Sequence, residues 1–219
     1  FLESKKGMIY RKELRQLAGR TSWVGGLLPQ LKPFTRSLWE ALAKPSTSQK
    51  LQHLVFVKQV KEALEWLLCF TNGNHGGLVR EHRLADRYAP GIVLQTDASL
   101  WGGGAVFWDS WWAYSQGRPP REYMAFRWDE GHAEILGVGA GDVAGQATFE
   151  AYQMLEAVVM WVDKTTRGKI TLIGDAEGVL FGLTKLSAPS PIINDVAKEV
   201  ALHLAPLGLA LSGIHVWGE

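Results

Sequence analysis

The sequence predicts an α/β protein in which a mixed β-sheet with flanking helices follows a small α-helical segment. Short apolar runs suited to buried strands occur at residues 92–94 and 105–107, and residues 169–173 (K-I-T-L-I) predict a further strand. Two longer stretches, at residues 146–163 and 191–204, repeat apolar side chains at helical spacing. Strands that alternate with helices along a chain are typical of a sheet covered by helices.

The helical segment is predicted to span residues 1–90. Residues 8–44 read as short helices broken by glycine and proline. A longer helix is predicted over residues 49–70, because its leucines and valines recur at helical spacing. Its opposite side is basic and carries Lys58 and Lys61. This helix therefore has one side for a core and one side for an anionic partner.

A loop at residues 71–77 and a basic connector at residues 78–90 lead to a predicted domain boundary near Pro90. Charge changes sign across this boundary. The first 90 residues hold 15 Lys and Arg against 7 Asp and Glu, whereas residues 91–219 hold 8 against 15. A basic part can bind a polyanion through its phosphates, and an acidic part can hold cations. The alternative is that the helix surfaces simply differ in charge.

The second segment opens with predicted strands over residues 91–96 and 103–108 and a third over residues 111–115. Residues 118–145 show little periodicity, and we interpret them as an insertion of unknown role. Within that insertion Asp129 is positioned to cap a short helix that follows it.

The remaining elements have clearer signals. A helix is predicted over residues 146–163, a strand over residues 169–173 and a second helix over residues 177–185. Ser190, followed by proline, is a strong N-cap for a third helix. A last strand is predicted over residues 207–216.

Four tryptophans crowd the predicted meander: Trp101, Trp108, Trp111 and Trp112. Such residues either stack on nucleic-acid bases or pack in a core and across strands. We expect packing.

Composition excludes several classes of protein. The chain contains no apolar run long enough to span a membrane, and its only cysteine is Cys69. An intrachain disulfide and a thiolate zinc site are therefore excluded. The chain begins at Phe1 without a signal-peptide pattern. We expect a piece of a longer intracellular polyprotein without a membrane partner.

Three carboxylates are candidate site residues. Asp97 follows the first predicted strand, Asp175 follows the strand at 169–173, and Glu150 lies on the edge of the apolar stripe between them. A right-handed crossover would place the two strands side by side and parallel, so that both aspartates emerge at one edge of the sheet. We expect the three carboxylates to lie within about 8 Å of one another. Glu150 could instead simply complement the dipole of its helix.

These residues also carry a resemblance. The segment around Asp97 reads T-D-A-S-L-W-G-G-G-A-V-F, Trp161 follows Glu150 by eleven positions, and Asp175 follows it by twenty-five. This pattern resembles the ribonuclease H domain of a retroelement reverse transcriptase, and the segments farther downstream resemble DIRS-like elements. The resemblance covers roughly residues 91–219 and is weaker upstream.

The resemblance implies a ribonuclease H-like fold and hydrolysis of the RNA strand of RNA–DNA hybrids. Asp97, Glu150 and Asp175 would be the catalytic residues and the ligands of Mg²⁺ or Mn²⁺, with two ions about 4 Å apart. Oxygen ligands without cysteine favour these ions over zinc. Residues 1–90 would correspond to the thumb and connection, and the polymerase part of the same polyprotein would be a partner. The predicted nucleic-acid contacts are Ser99, Gly102, Gly103, Lys58 and Lys61.

The sequence departs from the family pattern at its end. The family places a fourth aspartate beyond a His-Ile-Pro-Gly motif, which here reads His-Val-Trp-Gly with Trp217 in place of proline, and the chain ends at Glu219. We therefore expect weak cleavage unless the chain is extended to that aspartate. Two alternatives stay open: a catalytically silent module that binds nucleic acid, and a structural fragment of a decayed element.

Overall fold

The computed structural model describes residues 7–45, 52–73, 91–163, 165–166 and 168–217. The chain divides into two compact units, residues 1–79 and 80–219. The connector and the boundary near Pro90 lie outside the described residues, so the proposed domain limits stay a prediction. None of the described helices is both long and apolar enough to cross a membrane.

Within residues 7–45 and 52–73, the first unit consists of three α-helices and a two-stranded sheet. Strand β1 spans Met8–Tyr10, helix α1 Arg11–Leu27, helix α2 Lys32–Ala43, strand β2 Leu54–Phe56 and helix α3 Lys61–Thr71. Fully or almost fully buried side chains from all three helices form its core: Leu14, Phe34, Leu38, Leu67 and Phe70. The Phe34 and Phe70 rings meet edge to face, with centroids 5.6 Å apart.

The helix predicted over residues 49–70 is wrong in its first half. Residues 54–56 form β2, which pairs antiparallel with β1 through Ile9 and Val55. Lys58 then lies in a 3₁₀ turn and Lys61 begins α3, so the two lysines do not share the side of one helix. The apolar stretch fits a strand as well as a helix. It forms a strand here because it pairs with β1, about 45 residues earlier in the chain.

The second unit is built on a five-stranded sheet. Strand β3 spans Ile92–Ala98, β4 Gly102–Trp108, β5 Glu122–Arg127, β6 Ile170–Gly174 and β7 Leu211–His215. Their order is β5-β4-β3-β6-β7. The first three strands form an antiparallel meander, and β6 and β7 run parallel to β3. This mixed sheet with its helices is a ribonuclease H-like α/β fold, as the sequence predicts.

Helices α4 (Trp111–Ser115), α5 (Glu130–Leu136), α6 (Gln146–Trp161), α7 (Glu177–Thr184) and α8 (Pro191–Leu204) complete the unit. Alternate strand residues such as Leu94 and Leu172 join the main core with α6, α7 and α8. Their neighbours Val93 and Ile173 face the other side and pack in a smaller cluster that Ala113 of α4 adjoins.

The strand predicted over residues 111–115 is instead helix α4. Ser110 caps it, because its Oγ accepts a hydrogen bond from the Ala113 amide at 3.2 Å. The third strand of the meander is β5, inside the segment that we interpreted as an insertion. That segment is integral to the fold, since Trp128 and Leu136 pack with Phe149 of α6. An edge strand with one half-buried face gives only a weak alternation signal, so periodicity alone missed it.

The prediction that the four tryptophans pack in a core and across strands is wrong for three of them, because Trp101 lies in a turn and Trp111 and Trp112 lie in α4. Trp108 is buried, but Trp101, Trp111 and Trp112 are 67%, 45% and 55% exposed. The Asp129 cap is confirmed, because its carboxylate accepts a hydrogen bond from the His132 amide at 3.0 Å.

The glycines of β4 make a matched pair for a test of stability. A Cβ at Gly102 would collide with the backbone carbonyl of Phe126 on β5, whereas a Cβ at Gly104 would meet nothing closer than a carbonyl oxygen at 3.6 Å. We expect Gly102→Ala to lower the free energy of unfolding by about 1–3 kcal/mol, since the neighbouring strand must move. Gly104→Ala should be neutral or slightly stabilising. Urea unfolding of both variants measures the difference, and equal losses would contradict the steric explanation.

Candidate metal centre

The two aspartates lie at the same edge of the sheet. Asp97 is the penultimate residue of β3, and Asp175 directly follows β6. These strands are parallel neighbours with Gln95 opposite Ile173, so two further residues bring the aspartates level. Both aspartates are exposed to solvent. The expected parallel arrangement of the two strands is confirmed.

Glu150 approaches the aspartates from α6, which packs across β3 and β4. It lies five residues into the helix, and only 3% of its surface is exposed. The sequence places it on the edge of the apolar stripe, but the structure buries it with its neighbours Phe149 and Ala151. A carboxylate buried so fully requires compensating partners.

The three carboxylates converge. One oxygen from each of Asp97, Glu150 and Asp175 lies within 4.8 Å of the others, well inside the expected limit. Among the described residues, no other group of three or more His, Cys, Asp or Glu side chains meets in this way. The catalytic and ligand roles of these three residues stay a prediction.

Glu150 has one partnered oxygen and one without a partner. Gln146 Nε2 donates to Glu150 Oε1 at 3.0 Å and to the carbonyl of Ala98 at 2.6 Å, so it ties the carboxylate to the end of β3. Glu150 Oε2 is buried and has no hydrogen-bond partner among the described residues. Gln146 was not among the residues predicted from the sequence, although its position one helical turn before Glu150 is a usable signal.

The pKa of Glu150 is raised to about 7, and burial is the largest cause, followed by the negative charges of Asp175 and Asp97. The hydrogen bond from Gln146 and the nearby backbone of Ala98 oppose the shift. Without a cation this carboxyl group is therefore partly protonated at neutral pH, because three negative charges in close proximity repel one another.

His215 supports Asp175 from the neighbouring strand. It ends β7 opposite Gly174, and its Nε2 donates to the backbone carbonyl of Asp175 at 2.9 Å. The ring of Trp217 packs edge to face on His215 at 4.8 Å. From the sequence, this segment was noted only for its resemblance to the family motif, and no role was predicted for His215.

The residues present fit a divalent cation. All three candidate ligands are carboxylates, and the buried oxygen of Glu150 lacks the hydrogen bond that would otherwise offset its burial. Clustered carboxylate oxygens suit Mg²⁺ or Mn²⁺. A cation at this position would offset the repulsion that raises the pKa of Glu150.

The predicted nucleic-acid contacts are divided between the two units. Ser99 lies in the β3–β4 turn, where its Oγ donates to the Gly102 carbonyl at 3.1 Å. The bare backbones of Gly102 and Gly103 adjoin the protein's own groups, Phe126 for the first and Gln153 with Trp128 for the second. Internal packing thus accounts for both glycines, and their contact with a ligand stays a prediction.

Lys58 and Lys61 belong to the first unit, and both are exposed. The ammonium group of Lys58 lies 5.9 Å from the centroid of the Phe56 ring. Lys61 pairs with Glu65 at 3.6 Å, an exposed ion pair of the kind that contributes little to stability. Their predicted role in nucleic-acid binding also stays open.

The chain is similar to known proteins in its structure and not in its sequence. No family model and no curated protein match the sequence. Among solved structures, the chain is similar to foamy viral protease–reverse transcriptase in complex with RNA/DNA hybrid, at 12% identity and a TM-score of 0.39, over 96% of this chain and 25% of that one. A second structure of that enzyme, dRH in complex with ds DNA, gives 13% identity and a TM-score of 0.36, over 95% and 35%. The selenomethionine-labelled prototype foamy virus protease–reverse transcriptase gives 12% identity and a TM-score of 0.36, over 94% of this chain and 24% of that one. The chain thus spans about a quarter to a third of the length of these proteins.

Proposed function

We propose that this chain is a metal-dependent endonuclease that hydrolyses the RNA strand of RNA–DNA hybrids, as the ribonuclease H part of a DIRS-like retroelement reverse transcriptase. Residues 91–219 form the nuclease domain in this proposal, and residues 1–90 form a thumb- or connection-like segment that holds the duplex. The polymerase part of the same polyprotein would be its partner. The observation that carries the proposal is the convergence of three carboxylates, one of them with a buried oxygen that has no hydrogen-bond partner.

The proposed roles follow from position. Asp97, Glu150 and Asp175 would hold the cations, and Asp97 would be a ligand of both. When bound, two Mg²⁺ or Mn²⁺ ions supply an activated water and stabilise the departing oxygen of the phosphodiester. Gln146 orients Glu150 through its hydrogen bond at 3.0 Å, and His215 fixes the backbone of Asp175. Ser99, Gly102 and Gly103 lie at the same end of the β3–β4 hairpin, where RNA would be distinguished by its 2′-hydroxyl groups.

The test is cleavage of labelled duplexes by the wild-type protein in Mg²⁺, in Mn²⁺ and in chelator. The proposal requires cation-dependent cleavage of the RNA strand in a hybrid, with the DNA strand, double-stranded DNA and double-stranded RNA left largely intact. Binding of the hybrid without cleavage in either cation, by this chain and by the chain extended to the expected fourth aspartate, would assign the chain instead to a silent nucleic-acid-binding module. If the protein neither binds nor cleaves the hybrid, the chain is a structural fragment.

The proposed duplex contact of the first unit predicts a change in salt dependence. Each lysine that neutralises a phosphate contributes about 0.9 to the slope of log affinity against log salt. If Lys58 and Lys61 both contact phosphates, Lys58→Gln with Lys61→Gln should reduce the slope by nearly 2. Lys185→Gln, an exposed lysine of the second unit, is the matched control. The measurement is the affinity for the hybrid over a range of salt concentrations. An unchanged slope of log affinity against log salt would show that neither lysine contacts a phosphate.

A further inference from the structure

Trp101 is an exposed aromatic residue that the structure holds firmly in place. It lies in the β3–β4 turn, and 67% of its surface is exposed. Its amide donates to Ser99 Oγ at 3.2 Å, and its carbonyl accepts from the Trp128 amide at 3.1 Å. Trp128 is itself buried and donates its indole N–H to the carbonyl of Ser99 at 2.8 Å. The turn is therefore braced at three points.

The indole ring is also positioned by a glycine. The end of its six-membered ring lies so close to Gly141 that a Cβ there would be 2.7 Å from the nearest ring carbon. Gly141 has a φ of +84°, and its amide donates to the carbonyl of Leu100 at 2.8 Å. A side chain at this position would be strained and would also displace the ring. The fold thus fixes an apolar surface in solvent instead of burying it.

The place of Trp101 relates it to the carboxylates. Asp97 pairs with Gly104 across the hairpin, and Trp101 lies three residues from Gly104 at the tip. A strand rises about 3.3 Å per residue, so the backbone of Trp101 lies roughly 10 Å along the hairpin from that of Asp97. Neighbouring nucleotides of one strand are about 3.4 Å apart. The separation therefore corresponds to about three nucleotides.

Charge indicates what such a surface could bind. Residues 91–219 hold 15 acidic side chains against 8 Lys and Arg, so this part of the chain offers few ionic contacts to a phosphate backbone. A strand held at the carboxylates must be retained there by cations and by uncharged contacts. An exposed indole provides an uncharged contact, because every nucleotide has an apolar base face and a sugar edge.

We infer that Trp101 forms a nucleotide-binding subsite about three nucleotides from the phosphate held at Asp97, Glu150 and Asp175. The inference rests on the proposed function, since it takes the strand at the carboxylates as its reference point. Trp101 binds the uncharged face of the nucleotide, its base or its sugar, and makes no contact with phosphate.

The test is the affinity of the full chain for an RNA–DNA hybrid with a single-stranded extension, measured in Ca²⁺ so that binding is followed apart from cleavage. Trp101→Ala should weaken binding about tenfold, the effect of losing one aromatic stack. The salt slope should stay the same, because no phosphate contact is lost. Trp101→Phe should retain most of the affinity. Trp112→Ala removes an exposed tryptophan at the opposite end of β3 and should have no effect.

Hybrids with one abasic nucleotide, moved stepwise along each strand, identify the contacted face. If Trp101 stacks on a base, a hybrid that lacks that base binds the wild-type protein more weakly, and wild type and Trp101→Ala then bind it with equal affinity. If it packs on a sugar, the difference persists at every position. Either result supports the subsite. Three results would overturn the subsite. The first is a folded Trp101→Ala variant that binds within twofold of wild type, and the second is a loss of affinity no larger than that of Trp112→Ala. The third is a wild-type protein that does not bind the hybrid.

This design separates the subsite from the proposed nuclease activity. A wild-type protein that binds hybrid in a Trp101-dependent manner but does not cleave it, even when extended to the expected fourth aspartate, supports the subsite and contradicts the nuclease proposal. A wild-type protein that cleaves hybrid, with unchanged affinity and KM in Trp101→Ala, overturns the subsite alone. Thermal unfolding of each variant shows that the substituted turn remains folded.

Discussion

Asp97→Asn is expected to reduce cleavage of the RNA strand by roughly a thousandfold. The substitution keeps the shape of the side chain and removes the negative charge proposed to be shared by both cations. A thousandfold loss corresponds to about 4 kcal/mol of transition-state stabilisation. Asp97 is exposed and its charge raises the pKa of Glu150, so its removal should relieve repulsion and leave the fold intact.

Substitutions of the other two carboxylates and of a carboxylate outside the cluster test whether the loss is specific to the site. Glu150→Gln and Asp175→Asn should cause losses of similar size, and combining two of them should add little, because the three residues act as one unit. Glu134→Gln neutralises an exposed carboxylate of the same unit outside the cluster and should retain full activity. The measurement is single-turnover cleavage in Mg²⁺ and in Mn²⁺, with thermal unfolding as the check of folding. More than a tenth of the wild-type rate in Asp97→Asn would exclude this residue as a shared ligand.

The main features of the site follow from local sequence signals. Asp97 and Asp175 each follow a short apolar run, and such runs gave β3 and β6 to within two residues. The right-handed crossover rule then placed the strands side by side, and their register brings the aspartates together. The burial of Glu150 was harder to predict, because periodicity located it at the edge of the helical stripe and not within the packed face.

Errors arose where structure depends on distant partners. Strand β2 forms because Leu54–Phe56 pairs with β1, and β5 forms because Glu122–Arg127 pairs with β4. Leu54–Phe56 fits the helical spacing of its neighbours as well as a strand, and Glu122–Arg127 has little periodicity of its own. For the same reason the hydrogen bond from His215 to Asp175 was not foreseen, since it joins residues 40 positions apart.

The second large effect is expected in the pH dependence of stability without divalent cations. The pKa of Glu150 is about 7 in the folded protein against an ordinary value of 4.5, so the folded state holds this proton more tightly than the unfolded state. The stability contributed by protonated Glu150 is fully present below about pH 4.5 and is lost as the pH rises to about 7. Allowing for partial screening by solvent, the loss should be on the order of 2 kcal/mol.

Glu150→Gln isolates this contribution from all other titrating groups. Without a cation, the glutamine variant should be more stable than wild type at pH 8 by about 2 kcal/mol, and the difference should largely disappear at pH 5. Glu199→Gln, an exposed substitution on α8, should show no such pH-dependent difference. Urea unfolding at both pH values in chelator provides the measurement. Parallel pH profiles for wild type and Glu150→Gln would show that burial and repulsion do not raise this pKa.

Addition of Mg²⁺ should reverse the order of stability at pH 8. The ion binds the deprotonated carboxylate, so it competes with the proton and stabilises the folded wild-type protein in proportion to its occupancy. At pH 5 the protonated Glu150 should weaken binding, and the gain in stability should be smaller. Glu150→Gln lacks the charge and should gain little at either pH. If Mg²⁺ stabilised Glu150→Gln as much as wild type, the bound ion would have to lie elsewhere, and the convergence of the three carboxylates would have another explanation.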